Sequence, residues 1–192
     1  MVVKNFFRHL KTVHRHRKEV RKLMFKVGLY WRGLVHDLSK YSPTEFFSSV
    51  RYYQGWRSPI DNEIDTIGYS KAWLHHKGRN KHHPEYWFDS AHGGIFYGTL
   101  RGTICEMPMK YRVEMICDRI AASKVYLGDK YTDSSPLEYT MRRMKVEKHW
   151  IEPKTYDWLL TNLRLLANNG EKYFLKDLRN CLKCKTRDCE NG

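Results

Sequence analysis

From Asn5 to about Val27, the residues Phe6, Leu10, Val13, Val20, Leu23, Met24 and Val27 recur at steps of three and four, while Lys11, Lys18, Arg21 and Lys22 fall mostly between them. That period makes an amphipathic helix and excludes a half-buried strand, whose apolar positions alternate. The helical pattern returns from Glu63 to Lys77, from Met109 to Leu127, from Pro136 to His149 and from Pro153 to about Asn168. Asn168-Asn169-Gly170 then supplies a stop, and a short helix is expected from Glu171 to Leu182. Leu29 to Ser39 reads as a further helix, largely buried because Tyr30, Trp31, Leu34 and Val35 crowd it. Ser42-Pro43-Thr44-Glu45 marks a turn and a new helix start with proline at its first position. Gly55 to Asn62 reads as a loop, and Gly78 to Pro108, with Gly78, Gly93, Gly94, Gly98 and Gly102, as a long irregular connection of the kind that carries function. No alternating run exceeds a few residues, so the expected class is an all-α bundle with that connection in its middle. One domain is expected over residues 1–180, followed by a polar cysteine-containing tail over 183–192.

The 192 residues fit a single domain, and 41% hydrophobic with 14% aromatic residues suffice for a core. No run of about 18 apolar residues offers a membrane span. Lys4, Arg8 and Lys11 interrupt the N-terminal apolar residues, so a signal peptide is not expected and a cytoplasmic protein is. Five cysteines, an odd number, argue for free thiols or a metal site rather than a disulfide framework. The three in the tail, Cys181, Cys184 and Cys189, lack a paired fourth ligand and read as free thiols. The formal charge of +14, from 35 basic against 21 acidic residues, attracts polyanions at long range. The partner it suits is a phosphorylated small molecule, a nucleotide or a nucleic acid.

Ten histidines are the unusual part of the composition, and periodicity separates them. His16 lies three residues after Val13 and four before Val20, on the apolar stripe, whereas His14 lines up with Lys18 and Arg21. An inward histidine is either a core residue bonded to a carbonyl or a metal ligand. His36 and Asp37 supply an adjacent imidazole and carboxylate, directed about 100° apart if the helix is continuous. His75, His76, His82 and His83 then place four imidazoles within nine residues, with His76 on the inward face beside Ala72 and Trp73; interleaved Lys77, Arg79 and Lys81 leave open a cationic surface segment. Asp118 projects from the stripe of Tyr111, Met115, Ala122 and Val125, where a carboxylate needs a partner, either a metal or an arginine such as Arg112 or Arg119.

An inward His, a His-Asp pair, a histidine cluster and a late inward Asp, in that order, resemble the signature of the HD superfamily of metal-dependent phosphohydrolases. His36-Asp37-Leu38-Ser39-Lys40 also resembles the form found in HD-GYP phosphodiesterases, although the Gly-Tyr-Pro element of those enzymes is absent. A nearer likeness is to an HD-like family of unknown function from bacteria and phages. It is carried by His36 to Pro43 with Glu45-Phe46, by His76, by Asn80 to Trp87, and by Met107-Pro108 with Glu114-Met115 and Asp118, all within about residues 10 to 130.

The resemblance implies an HD-type fold. It also implies that His16, His36, Asp37 and Asp118 hold one metal ion, and that His76 with His82 or His83 hold a second, bridged by Asp37. The ions would be divalent, Mn, Fe, Zn, Co or Mg, one or two per chain. The implied chemistry is hydrolysis of a phosphomonoester or phosphodiester through a metal-activated water. Lys40 would meet the phosphate, Lys77 and Arg79 would bind anions at the mouth, and Glu45 would transfer a proton or orient a ligand histidine. The same ligand set resembles myo-inositol oxygenase, an HD variant with two irons, so a di-iron oxygenase for a small polar substrate is the rival enzyme. A third reading is a basic nucleic-acid-binding module in which Tyr52, Tyr53 and Trp56, beside Arg51 and Arg57, stack bases and the metal is structural. Met141-Arg142-Arg143-Met144-Lys145 reads as a solvated helical face.

Overall fold

A computed structural model describes residues 2–89, 95–96, 99–100, 103–147 and 151–183. Eight α-helices dominate it: α1 (Val2–Val27), α2 (Tyr30–Val35), α3 (Pro43–Tyr52), α4 (Pro59–Ile67), α5 (Lys71–Lys77), α6 (Met109–Leu127), α7 (Ser135–Glu147) and α8 (Pro153–Lys183). The connection between α5 and α6 carries four two-residue strands, β1 (Phe88–Asp89), β2 (Ile95–Phe96), β3 (Thr99–Leu100) and β4 (Thr103–Ile104). They pair antiparallel as β1 with β4 and β2 with β3. Strands this short display no alternation, so they left no pattern in the sequence. Among the described residues, no helix is long and apolar enough to cross a membrane.

The core lies where α1, α6 and α8 meet. Val20, Leu23, Met24 and Val27 of α1 face Val113, Ile116 and Ile120 of α6 and Leu159, Leu163 and Leu166 of α8, all essentially buried. Each such aliphatic side chain contributes about 1.5–3 kcal/mol relative to leaving it in water. The expected stop at Gly170 is a kink, not an end: its φ of 79° breaks the helical run, and the carboxylate of Asp133 caps the restart by accepting from the Glu171 amide at 3.0 Å. Phe174, Leu175 and Leu178 then return to the same core.

Two expected helices are divided. Gly68 ends α4 with φ 83°, and the Ser70 hydroxyl caps α5 by accepting from the Trp73 amide at 3.0 Å, so Glu63 to Lys77 is two helices. Ser58 and Pro59 start α4 inside the stretch expected to be a loop. The second division shapes the site. α2 stops at Val35, His36 leaves the helix at φ −50° and ψ 127°, and Asp37 is left-handed at φ 51° and ψ 31°. His36 and Asp37 therefore stand in a sharp turn rather than on a helix. Nor is α2 largely buried: Tyr30, Trp31 and Leu34 are exposed, and contact is made through Gly33, where a Cβ would come within 2.9 Å of the Met24 Cβ.

Candidate metal centre

Arg17, next to His16 on α1, holds the turn. Its Nε donates to the His36 carbonyl and one terminal nitrogen to the Leu34 carbonyl, both at 2.8 Å, while the other reaches the Tyr41 hydroxyl at 3.2 Å. The open C-terminus of α2 is thus closed by a side chain from α1, and the same contact sets His36 and Asp37 against His16.

Asp37 is 1% exposed, and its two oxygens face different groups. Oδ2 lies 3.3 Å from His36 Nε2 and 3.7 Å from His16 Nε2, and each of those nitrogens approaches Asp118 Oδ1, at 3.3 and 2.9 Å. Oδ1 lies 3.4 Å from His76 Nε2 and 3.5 Å from His82 Nε2, and His83 Nε2 sits 2.9 Å from that of His76. His16, His36, Asp37 and Asp118 form one set of converging donors, and Asp37, His76, His82 and His83 another. Nε2 of His16, His36 and His82 and Oδ1 of Asp37 are buried without a hydrogen bond, despite these short separations, while Asp37 Oδ2 also meets the Lys40 ammonium. Buried polar atoms left unpaired are costly, and lone pairs that converge without bonding one another are the arrangement a cation satisfies. The donors fit one or two divalent ions, with Asp37 shared between them.

Charge supports the same arrangement. Burial would raise the Asp37 carboxyl, but His36, Lys40 and His76 hold it well below the usual carboxylate range. Asp118 is likewise held down against burial by His16 and His36. Burial lowers His82 and His83, which keeps both imidazoles neutral, the form that ligates. Burial would lower His36 too, yet Asp37, Asp118 and Glu114 raise it well above its ordinary value, so uptake of a metal there releases a proton.

Two glutamates orient the ligand rings. Glu114 Oε1 lies 2.9 Å from His36 Nδ1 while its other oxygen pairs with Arg32; both are occupied, so Glu114 serves as an orienting carboxylate rather than a ligand. Glu45 Oε2 lies 2.8 Å from His76 Nδ1 and Oε1 lies 2.6 Å from His75 Nδ1. Of the two expected roles for Glu45, proton transfer or ring orientation, the geometry supports orientation.

Residues 5–165 match the family described as "Family of unknown function (DUF5662)". The chain belongs to this family. No curated protein and no solved structure matches it.

In this family member the seven expected ligands, His16, His36, Asp37, His76, His82, His83 and Asp118, come together. His14 is exposed, as its position beside Lys18 requires. Asp118 does not pair with Arg112, which bonds Glu106 and the Met107 carbonyl. Lys40 lies 2.5 Å from Asp37 Oδ2 and lines a cavity of about 430 Å³ that opens beside the centre. Burial would lower its ammonium, but Asp37 and Asp118 raise it above the ordinary lysine value. Lys77 and Arg79 do not line that cavity: Lys77 follows the inward His76 on the helix, and Arg79 folds back onto the His75 carbonyl at 3.2 Å. The basic residues that do line it, besides Lys40, are Arg57, Arg119, Arg142 and Arg143. Tyr53 is buried with its hydroxyl 2.7 Å from that of Thr12, which removes it from a base-stacking surface. Cys181 is exposed near the end of α8, and residues 184–192, with Cys184 and Cys189, lie outside the described residues.

Sequence periodicity did not single out Glu114 or His9. Glu114 precedes Asp118 by four residues on α6 and so shares its face. His9 precedes Val13 by four residues and His16 by seven, on the same stripe; it is 6% exposed and lines the cavity.

Proposed function

We propose that the protein is a metal-dependent phosphohydrolase of the HD type, acting on a nucleotide or another phosphomonoester or phosphodiester. The observation that carries this reading is Asp37 between two sets of donors, one at each oxygen, of which His16, His76, His82, His83 and Asp118 line a cavity with the volume of a small-molecule site. His16, His36, Asp37 and Asp118 would hold one ion and His76, His82 and His83, with Asp37, a second. A divalent ion in such a set lowers the pKa of a bound water toward neutral and polarises a phosphoryl oxygen.

The chain supplies the rest. Glu114 and Glu45 accept from the Nδ1–H groups of His36 and His76 and leave each Nε2 lone pair directed inward. Lys40, a quarter exposed and charged throughout the neutral range, faces the cavity beside Asp118 and meets a phosphate as a point charge. Apolar side chains of α4 and α6 line the cavity and lower the local dielectric in which these contacts act.

The test is Asp37→Ala, with elemental analysis counting ions per chain and phosphate release measured on a generic phosphoester panel. Loss of both bound metal and turnover is expected; full metal content with full turnover refutes the assignment. The six histidine and aspartate side chains arranged around Asp37 also favour a second reading, a di-iron oxygenase. Iron with an O₂-dependent product would establish the oxygenase, and phosphate release dependent on Mn, Mg, Co or Zn the hydrolase.

A further inference from the structure

The cavity that His16, His76 and Asp118 line runs along α6. Asp118, Ala122, Val125 and Tyr126 all line it, and the eight residues from Asp118 to Tyr126 rise about 12 Å. α1 lines the same stretch with His16, Val13 and His9. The ring of Tyr53 packs 5.4 Å from that of His9 and holds it in the α1 wall.

Among the charged groups that line it, part of the trough is apolar. Val13, Ala122 and Val125 are joined there by Ile60 and Ile64 of α4, and His9 is kept neutral because burial, and then Lys40, lower it to about 4. Tyr139, Arg142 and Arg143 of α7 line the same cavity. Arg143 Nη1 lies 3.2 Å from the Tyr139 hydroxyl and 3.4 Å from Asp61 Oδ1. Arg119 donates to the buried Thr140 hydroxyl at 3.2 Å and fastens α7 to α6. Arg57 lines the cavity as well, but its three nitrogens are taken by Gln54, Asn62 and Asp65. Arg143 and Asp61 are both more than a third exposed, a weak pairing that a better anion displaces.

We propose that Arg142 and Arg143, which line the same cavity as His16, His76 and Asp118, form a second anion subsite, and that the molecule bound at the metal centre carries a second anionic group that reaches them. The near end of that molecule rests on the phosphohydrolase reading; the far end rests on the arginines. Guanidinium groups that line a cavity suit a phosphate or carboxylate, since each can grip two oxygens at once. A concave wall concentrates their field in a way that the same charges on an open helix would not. Met141 to Lys145 is therefore not a uniformly solvated face: its two arginines belong to the cavity.

The test uses a ruler. The full chain with its metal is titrated by calorimetry with straight-chain alkanediol bisphosphates of increasing length and with the monophosphate of each chain. The expected result is an optimum at one chain length, where the bisphosphate binds about tenfold to a hundredfold tighter than its monophosphate. Arg142→Gln with Arg143→Gln should cancel that gain, and the double lysine variant, which keeps charge but loses the fork, should restore part of it. Equal affinity of bisphosphates and monophosphates at every length, or a gain that persists in the glutamine variant, overturns the subsite. Asp37→Ala separates the two claims. Equal binding of both probe types, lost in Asp37→Ala, removes the subsite and keeps a phosphate at the metal centre. Arginine-dependent bisphosphate binding that Asp37→Ala leaves unchanged keeps the subsite and removes the phosphate reading of the metal centre.

Discussion

Acidification is expected to destabilise the fold through His9, a residue outside the donor sets. Its ring is packed 5.2 Å from that of Phe46 and 5.4 Å from that of Tyr53, and its Nδ1 is buried without a hydrogen bond. Burial is the larger cause, and Lys40 the smaller, of a fall from 6.5 to about 4. Above pH 6.5 the residue is neutral whether the chain is folded or not, and protonation costs the fold nothing. Below 6.5 the unfolded chain takes up a proton that the folded chain refuses until about 4, and stability falls with pH wherever the unfolded state binds more protons. At 1.36 kcal/mol per pH unit the full window is worth about 3 kcal/mol, of which about 2.5 kcal/mol is lost by about pH 4.5. The assay is urea unfolding of the native protein and of His9→Gln at about pH 7 and about pH 4.5, with stability taken by linear extrapolation. Other acid-sensitive groups are common to both proteins, so the difference of differences isolates His9. The variant should lose about 2.5 kcal/mol less than the native protein over this interval. Equal losses in the two proteins would refute the assignment of a buried, neutral imidazole.

Three further perturbations separate the site from its supports. Arg17→Ala removes two bonds to carbonyls and one to Tyr41, and is expected to destabilise the fold by about 2–3 kcal/mol in urea unfolding and to weaken metal binding in chelator competition. Unchanged metal affinity would mean that the turn does not need its staple. Glu114→Gln keeps the side-chain shape but withdraws the charge facing His36, so metal affinity should fall about 10–100-fold while the circular dichroism spectrum stays native. Leu163→Ala, deep in the core, should cost about 2–5 kcal/mol and leave the ion count per chain unchanged. A drop in ion count for that variant would show that metal loss reports general unfolding rather than damage to the donors.

Legibility in the sequence followed contrast. α1 has a polar face and an apolar one, so the inward direction of His16 and the outward direction of His14 follow from the helical period alone. α6 has little such contrast: Tyr111 through Cys117 are all buried, Arg112 and Glu114 included. Periodicity on a helix buried all round distinguishes no face, and Glu114 therefore entered only within the segments that carry the family likeness, without a role. The helix breaks show a different limit. Gly68 and Ser70 together formed a local stop and start that an isolated apolar count overran. The break at Asp37 has no local signal of that kind, because the residue that closes it, Arg17, comes from nineteen positions earlier in the chain. The far arginines show a third limit, since Arg142 and Arg143 become a concave surface only when α7 lies against α4 and α6.

The break at Asp37 also explains why the two donor sets can share one carboxylate. A non-glycine residue in the left-handed region costs on the order of 1–2 kcal/mol, and such strain persists only where the surroundings enforce it. Continuing α2 through Asp37 would remove that cost, but it would splay His36 and Asp37 by about 100° and align the carboxylate with its own helix surface. In the turn, His36 Nε2 comes within 3.3 Å of Oδ2, and Oδ1 is left facing the opposite way, toward His76 and His82. His36 from the helix break and His16 from the early helix then meet one oxygen, with Asp118 of the late helix against both rings, while the α5 end and its following loop meet the other. The conformation that local propensity opposes is the one that the donor geometry requires, and Arg17, anchored one position from His16, couples the strained turn to the first ligand of the set.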